Sequence, residues 1–324
     1  MRVPCPRTGS NRIWEWNHTM YKTNFDFVVD KAKAVTKPIR VAIAGADAEN
    51  ILLGAFRAAD DGFVELILVG DEQKITTMLK DLSLTSKKYS IVSVPEGGNV
   101  VQAAIDLVKA GKADALMRGN TQTRDFLLPI VDKKNDLIYK DRLLTQVTMV
   151  KMPDYGRVLA FSDVTLIPEP DMNQRKKIIK NMVGMFEALG YEHPNIALLA
   201  MVEKPMFHMV DTVEAQTLVH EHSEKPIANC ELVGPIAYDL IISKEAARLK
   251  GYDCPLCGEF DGVVAPNLLT ANILVKTLQM HGHASSCGVI IGAKIPIAIT
   301  SRSDSAEQAY LSLAVCAALP ELEE

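Results

Sequence analysis

The sequence predicts an α/β protein of two domains, and three observations carry that reading. From about residue 38 onward, short apolar runs alternate with amphipathic stretches, as βα units do. At 324 residues the chain exceeds one typical compact domain, so about two are expected, with a cleft between them. No repeat of roughly 20 to 50 residues and no low-complexity linker interrupts the pattern.

Taken in order, VAIAG (41–45) reads as a buried strand ending in glycine, Asp47 to Asp60 as a helix, and VELILVG (64–70) as the next strand. In that helix Ile51, Leu52, Ala55, Phe56 and Ala59 fall on one face. Tyr89 to Val94 and Ala113 to Gly119 read as strands, separated by a helix near Val101 to Ala110 that Gly111 stops. Near residue 145 the pattern changes: two β-rich runs flank Pro153-Asp154-Tyr155-Gly156, the signature of a hairpin, so the sheet is expected to be mixed. A helix over Asn173 to Leu189 stops at Gly190. Strands IALLAMV (196–202), ELVGPIA (231–237) and GVVAP (262–266) follow, with helices near 211–222, 243–250 and 268–281 between or after them. Asp211 with Glu214, and Ser243, are expected caps. GVIIGAKIPIAIT (288–300) reads as one last strand running into a terminal helix that returns to the first domain. The expected division is an extension at 1–37, a first domain of 38–145 plus 300–324, and a second domain of 146–299.

Composition bounds the function. Hydrophobic residues at 48% and charged residues at 23% are ordinary globular usage. With 35 Lys+Arg against 40 Asp+Glu the net charge is −5, so the chain has no global attraction for nucleic acid, and any anionic substrate must be held locally. No apolar stretch approaches the roughly 20 residues that cross a bilayer. Arg2, Arg7 and Arg12 are not followed by the apolar run of a secretory signal, so residues 1–37 are expected to be a loose or partner-packed extension. Six thinly spread cysteines (Cys5, Cys230, Cys254, Cys257, Cys287, Cys316) suit reduced thiols, and a cytoplasmic location is expected.

Thr300 to Glu307 lies where a strand hands over to a helix, where orphan N–H groups and the positive end of a helix dipole favour anions. Arg302 with the hydroxyls of Ser301, Ser303 and Ser305 would make a phosphate cradle there. Plain N-capping accounts for the same residues, since Ser301–Asp304 and Asp304–Glu307 both have capping-box spacing. Met117-Arg118-Gly119-Asn120-Thr121 follows a strand, with a glycine that permits close backbone approach and an arginine that can face an anion. A surface arginine on a βα loop fits it equally well.

The stretch GVVAPNLLTANILVKTLQ…GVIIGAKIPIAITSRSDSAEQ resembles the phosphate acetyl/butyryl transferase family, and its butyryltransferase branch more closely, with Ser303 where alanine is usual. The similarity extends through ELVGPIAYDLIISKEAARLKG and VAIAGADAENILLGAFRAADDGFVELILVGDEQKI, covering about residues 38 to 320. It implies a two-domain, isopropylmalate-dehydrogenase-like fold with mixed and parallel sheets, helices on both faces and an active site in the interdomain cleft. The implied reaction is acyl-CoA plus phosphate giving acyl phosphate plus coenzyme A, with no metal or redox cofactor, and a homodimer or higher homo-oligomer is expected. Arg302 is assigned to phosphate, and Ser301 to hydrogen bonding at the reacting centre. The acetyltransferase branch has an aspartate seven positions after that serine. Here Gln308 stands there, so Glu307, with Asp304 beside it, is the candidate base. The remaining substrate-binding candidates are Arg118, Asn120, Thr121, Gly234, Pro235, Asp239, Asn272, Lys276, Lys294 and Ser303.

Two other readings compete. An NAD-linked decarboxylating dehydrogenase needs an acidic cluster for a divalent metal, and the sequence shows no matching cluster. A non-catalytic acyl-CoA or phosphate sensor is favoured by Gln308 alone. Cys254 and Cys257 have metal spacing but no second pair nearby, and are expected to be loop cysteines. His220/His222 and His281/His283 are expected to be solvated, and His208 to be packed.

Overall fold

The structure is a computed structural model that describes residues 3–4, 22–85 and 88–319. The first stretch holds β1 (Val3–Pro4), α1 (Asp26–Lys33), β2 (Ile39–Ala44), α2 (Glu49–Asp60), β3 (Val64–Gly70), α3 (Glu72–Asp81), β4 (Ser90–Ser93), α4 (Val100–Lys109), β5 (Ala115–Arg118) and α5 (Thr123–Val131). Next come β6 (Thr145–Lys151), β7 (Val158–Ser162), α6 (Met172–Ala188), β8 (Asn195–Leu199), α7 (Val210–Glu224), β9 (Glu231–Ile236), α8 (Tyr238–Ile242), α9 (Lys244–Lys250), β10 (Tyr252–Asp253), β11 (Gly262–Val264) and α10 (Leu268–Met280). The chain closes with β12 (Ser285–Ile291), β13 (Ile297–Ala298) and α11 (Ala306–Ala318).

Two compact units result. One comprises Phe25–Leu144 and Ser286–Glu324; the other comprises Met1–Asn24 and Thr145–Ser285.

In the first unit the strand order is β4-β3-β2-β5-β13-β12, parallel except for the β12–β13 pair. From β2 the chain steps outward through α2 and α3 to β4, then returns through α4 to β5 on the other side of β2. Right-handed crossovers taken in opposite directions place α2 and α3 on one face and α4 on the other. The order therefore reverses between β2 and β5, and ligands of such sheets bind outside the carboxyl ends of the strands at that reversal.

Two expectations for this unit change. The chain returns to it at Ser286 rather than at residue 300, because GVIIGAKIPIAIT is two strands. The turn runs through Gly292 at φ +99°, and Val289 pairs with Ala298 antiparallel while β13 joins β5. Before residue 38, α1 buries Val28 and Ala32 and packs on α11, so residues 26–33 belong to the core rather than to an extension. Cys5 and Arg2, Arg7 and Arg12 lie outside the described residues. Finally, α11 is buried almost all round, with Tyr310, Leu313, Ala314 and Ala317 among its covered residues.

The second unit orders its main strands β6-β7-β11-β8-β9, with β6–β7 the expected hairpin and the others parallel. Its apolar core includes Leu159, Phe161, Val233, Leu240, Ile241, Phe260 and Val275. Ser243 caps α9 by accepting from the Ala246 N–H at 3.1 Å, as expected. The cap expected from Asp211 is absent. Instead Thr212 ties the preceding loop to the helix start, its hydroxyl donating to the Met209 carbonyl at 2.6 Å and accepting from the Met206 N–H at 2.8 Å.

Candidate functional site

At the β2/β5 reversal the two backbones nearly touch. Gly119 donates its N–H to the Ala44 carbonyl at 3.0 Å, and Asn120 donates to the Gly45 carbonyl at 2.7 Å. A Cβ on Gly119 would overlap the Gly45 carbonyl, so only glycine fits. Gly45 itself turns at φ +78°. This contact sets the direction in which Arg118, the last residue of β5, leaves the sheet.

Arg118 is 5% exposed, and its guanidinium donates to the Thr121 carbonyl at 3.1 Å and the Thr123 hydroxyl at 3.0 Å. Both acceptors are neutral. Burial first, and the charge of Arg302 second, pull the Arg118 pKa below the usual arginine value, while Asp304 opposes them. The Thr121 hydroxyl is buried with no hydrogen-bond partner among the described residues. Asn120 is exposed, its amide 3.5 Å from Asp47.

Because β13 lies parallel to β5, its carboxyl end delivers residues 300–304 to the same edge. Arg302 is exposed and donates to the Gln122 side chain at 3.2 Å. A turn holds it: Ser301 donates its N–H to Asp304 Oδ2 at 2.7 Å, Asp304 donates back to the Ser301 carbonyl at 3.1 Å, and Asn50 of α2 ties down the Asp304 carbonyl at 2.6 Å. The hydroxyls of Ser301 and Ser303 lie 3.0 Å apart. The capping boxes expected at Ser301–Asp304 and Asp304–Glu307 are replaced by one at Ser305–Gln308, so the turn stands ahead of the helix instead of forming its cap. Two guanidiniums, neither bonded to a carboxylate among the described residues, thus share one edge with hydroxyls and an orphaned buried oxygen. That arrangement calls for a multivalent oxyanion.

The expected base does not fit. The carboxylate of Glu307 is engaged by Arg57 of α2, whose guanidinium also stacks 3.8 Å over the Tyr310 ring, because α2 packs directly on α11. Gln308 accepts the Ser305 N–H at 2.8 Å and donates to the Ser286 hydroxyl at 2.8 Å. Lys294 faces Asp136 at 2.8 Å rather than the arginine pair.

Other candidates lie in the second unit. Gly234 and Pro235 are within β9, where a Cβ on Gly234 would meet Leu198 at 2.6 Å. Asp239 is exposed and paired with Lys250 at 2.9 Å. Asn267 caps α10 through the Thr270 N–H at 3.0 Å. Asn272 donates to the Val164 carbonyl at 3.1 Å, and Lys276, one turn on, is exposed. A residue that the sequence reading passed over, Asp163, lies buried at the carboxyl end of β7. Its signal in the sequence is an acidic residue directly after the strand VLAFS.

The remaining polar residues correct the sequence reading in part. His222 is buried, not solvated: its Nδ1 accepts from the Ile227 N–H at 3.0 Å and its Nε2 bonds the Cys230 carbonyl at 3.0 Å. Burial holds its pKa below the usual histidine value, aided by His193 and opposed by the Cys230 carbonyl. His208 is exposed beside Phe207, which is 99% exposed. Cys254 and Cys257 are buried within the core of the second unit.

Comparison with known proteins follows the same lines. Residues 96–317 match the family described as phosphate acetyl/butaryl transferase. The chain is 31% identical over 280 residues to a phosphate acetyltransferase of Thermotoga maritima, covering 86% of this chain and 94% of that one. It is also 31% identical over 294 residues to a phosphate butyryltransferase of Clostridium beijerinckii, covering 91% and 97%. Among solved structures, a branched-chain phosphotransacylase from Enterococcus faecalis V583 superposes with a TM-score of 0.74 at 30% identity, covering 86% of this chain and 97% of that one.

Proposed function

The chain belongs to the phosphate acetyl/butyryl transferase family, and from that premise we propose that it transfers a short acyl group, of butyryl type, between coenzyme A and inorganic phosphate. A phosphate oxygen attacks the thioester carbonyl carbon; the C–S bond breaks; coenzyme A leaves as its thiolate and acyl phosphate remains. Arg118 and Arg302 hold the phosphate, and the Ser301 hydroxyl donates to the oxygen that becomes negative in the tetrahedral state. Hydroxyls of Ser303 and Thr121 complete the oxyanion's donors, with Asn120 at the rim. Gly234, Pro235, Asn272 and Lys276 belong to the acyl-CoA side of the same reading, which also carries the homo-oligomer. The observation that supports it is the arginine pair at the sheet's reversal, free of carboxylate partners among the described residues.

In this direction no carboxylate base is required, since the phosphate dianion is already a nucleophile and the sulfur leaves as a thiolate without first taking up a proton. That matches the engagement of Glu307 and Gln308 elsewhere. Purified protein is expected to release free thiol from butyryl-CoA only when phosphate is present, and Arg302→Ala to lower that rate by about 100-fold. Thiol release without phosphate would make it a hydrolase. Tight coenzyme A binding with no release from any acyl-CoA would favour the sensor reading that Gln308 suggests.

A further inference from the structure

Asp163 is 3% exposed, yet none of its partners among the described residues is a cation. A buried carboxylate is tolerated only when its lone pairs are filled. Here backbone fills them. Oδ1 accepts the N–H of Gln146 from β6 at 3.1 Å and of Thr165 at 3.0 Å, while Oδ2 accepts that of Ile167 at 2.9 Å. The Leu166 N–H points between the two oxygens, at 3.3 Å from each. One side chain therefore folds residues 164–167 around itself and ties them to β6.

The loop so formed sets the next element. The Val164 carbonyl receives the Asn272 amide at 3.1 Å, and the Pro168 carbonyl receives the Leu268 N–H at 3.0 Å. The start of α10 and the half-buried amide of Asn272 in its first turns are both referenced to this one loop. The Ser162 carbonyl, at the base of the loop, also takes the Ala265 N–H at 3.0 Å, which aligns β7 with the strand that feeds α10.

We infer that Asp163 is a positioning residue for the acyl transfer: by clamping residues 164–167 it fixes the Val164 carbonyl that orients Asn272 toward substrate. The inference rests on the proposed function, specifically on Asn272 as a substrate-binding residue. A carboxylate is required at 163 because an asparagine would turn an NH2 group toward N–H donors. Shifting the loop by a fraction of an ångström misaims Asn272 without touching the arginine pair.

The test is a cycle of Asp163→Asn, Asn272→Ala and the double variant, each measured for kcat and KM toward butyryl-CoA and phosphate, and for thermal unfolding. Each single change is expected to lower kcat/KM for butyryl-CoA by about 100-fold, leaving KM for phosphate within about threefold. The double variant is expected to be no worse than the weaker single one. Losses that multiply, or an Asp163→Asn enzyme with wild-type kinetics, overturn the inference. Should Asp163→Asn fail to fold, Asn272→Ala decides alone: a folded variant with undiminished kcat/KM also overturns it. A wild-type protein inert toward every acyl-CoA would overturn the proposed function, and the inference with it. Active wild type with unaffected variants overturns only the inference.

Discussion

Gln308 occupies the position where a carboxylate would be sought, and its surroundings decide what it does. Its carbonyl closes a capping box on the Ser305 N–H, and its amide reaches the Ser286 hydroxyl on β12, so both ends of the side chain serve the start of α11. Glutamate can replace it in such a box, and a negative charge there suits the helix dipole. Gln308→Glu should therefore leave the urea unfolding midpoint unchanged and turnover within about threefold, whereas Gln308→Ala should cost about 1 kcal/mol. A tenfold or greater rise in turnover for Gln308→Glu would show that position 308 does reach the reacting atoms. Arg302 and Arg118 stand out in the sequence because each lies beside glycine or serine where a strand ends, and the parallel pairing of β13 with β5 brings both to one sheet edge. Glu307 was misjudged because its partner, Arg57, is distant in sequence, and only the packing of α2 on α11 brings the two together.

At the scale of elements, the junction of β2 and β5 supports the arginine pair, and Gly119 is its weakest point. Replacing it by alanine sets a methyl against the Gly45 carbonyl, and backbone on both sides leaves nothing that can rotate away. Gly119→Ala is expected to destabilise the protein by about 2 kcal/mol or more and to reduce turnover further than that loss accounts for, read by urea unfolding beside the thiol-release assay. Equal stability and activity would mean that the two strand ends are not held as close as described. Most elements followed from periodicity, since β2, α2, β3, α4, β7 and α6 all have one buried face or an apolar run. The region 288–300 did not, because apolar residues lie on both sides of Gly292 to Pro296, broken only by Lys294, and conceal the reversal of direction. The helix α1 was equally hidden, because only two of its eight residues, Val28 and Ala32, are buried.

At the scale of the whole molecule, the first unit is assembled from two distant stretches of chain, Phe25–Leu144 and Ser286–Glu324, while the main body of the second is continuous from Thr145 to Ser285. That asymmetry gives α11 unusual weight. It packs against α1 and α2, and Gly54 of α2 lies so near Ala309 that an added Cβ would come within 2.7 Å of it. Tyr310 stacks edge-on with Phe63 at 5.7 Å and donates its hydroxyl to Asp61 at 2.6 Å. Ending the chain after Asp304 removes all of this and uncovers the apolar faces of both helices. Its buried Leu311, Leu313 and Val315 contribute roughly 1.5 to 3 kcal/mol each, before Tyr310 and the alanines are added, so losing the helix removes an amount comparable to the 5 to 15 kcal/mol by which a domain is typically stable. Hydrogen exchange on the truncated chain should then show protection lost across residues 25–144, with protection kept in Leu159, Phe161, Val233 and their neighbours in the second unit. Protection retained in β2 and β3 would mean that the first unit folds without its returning helix, and that Arg302 is delivered to a site already formed rather than to one that α11 helps to build.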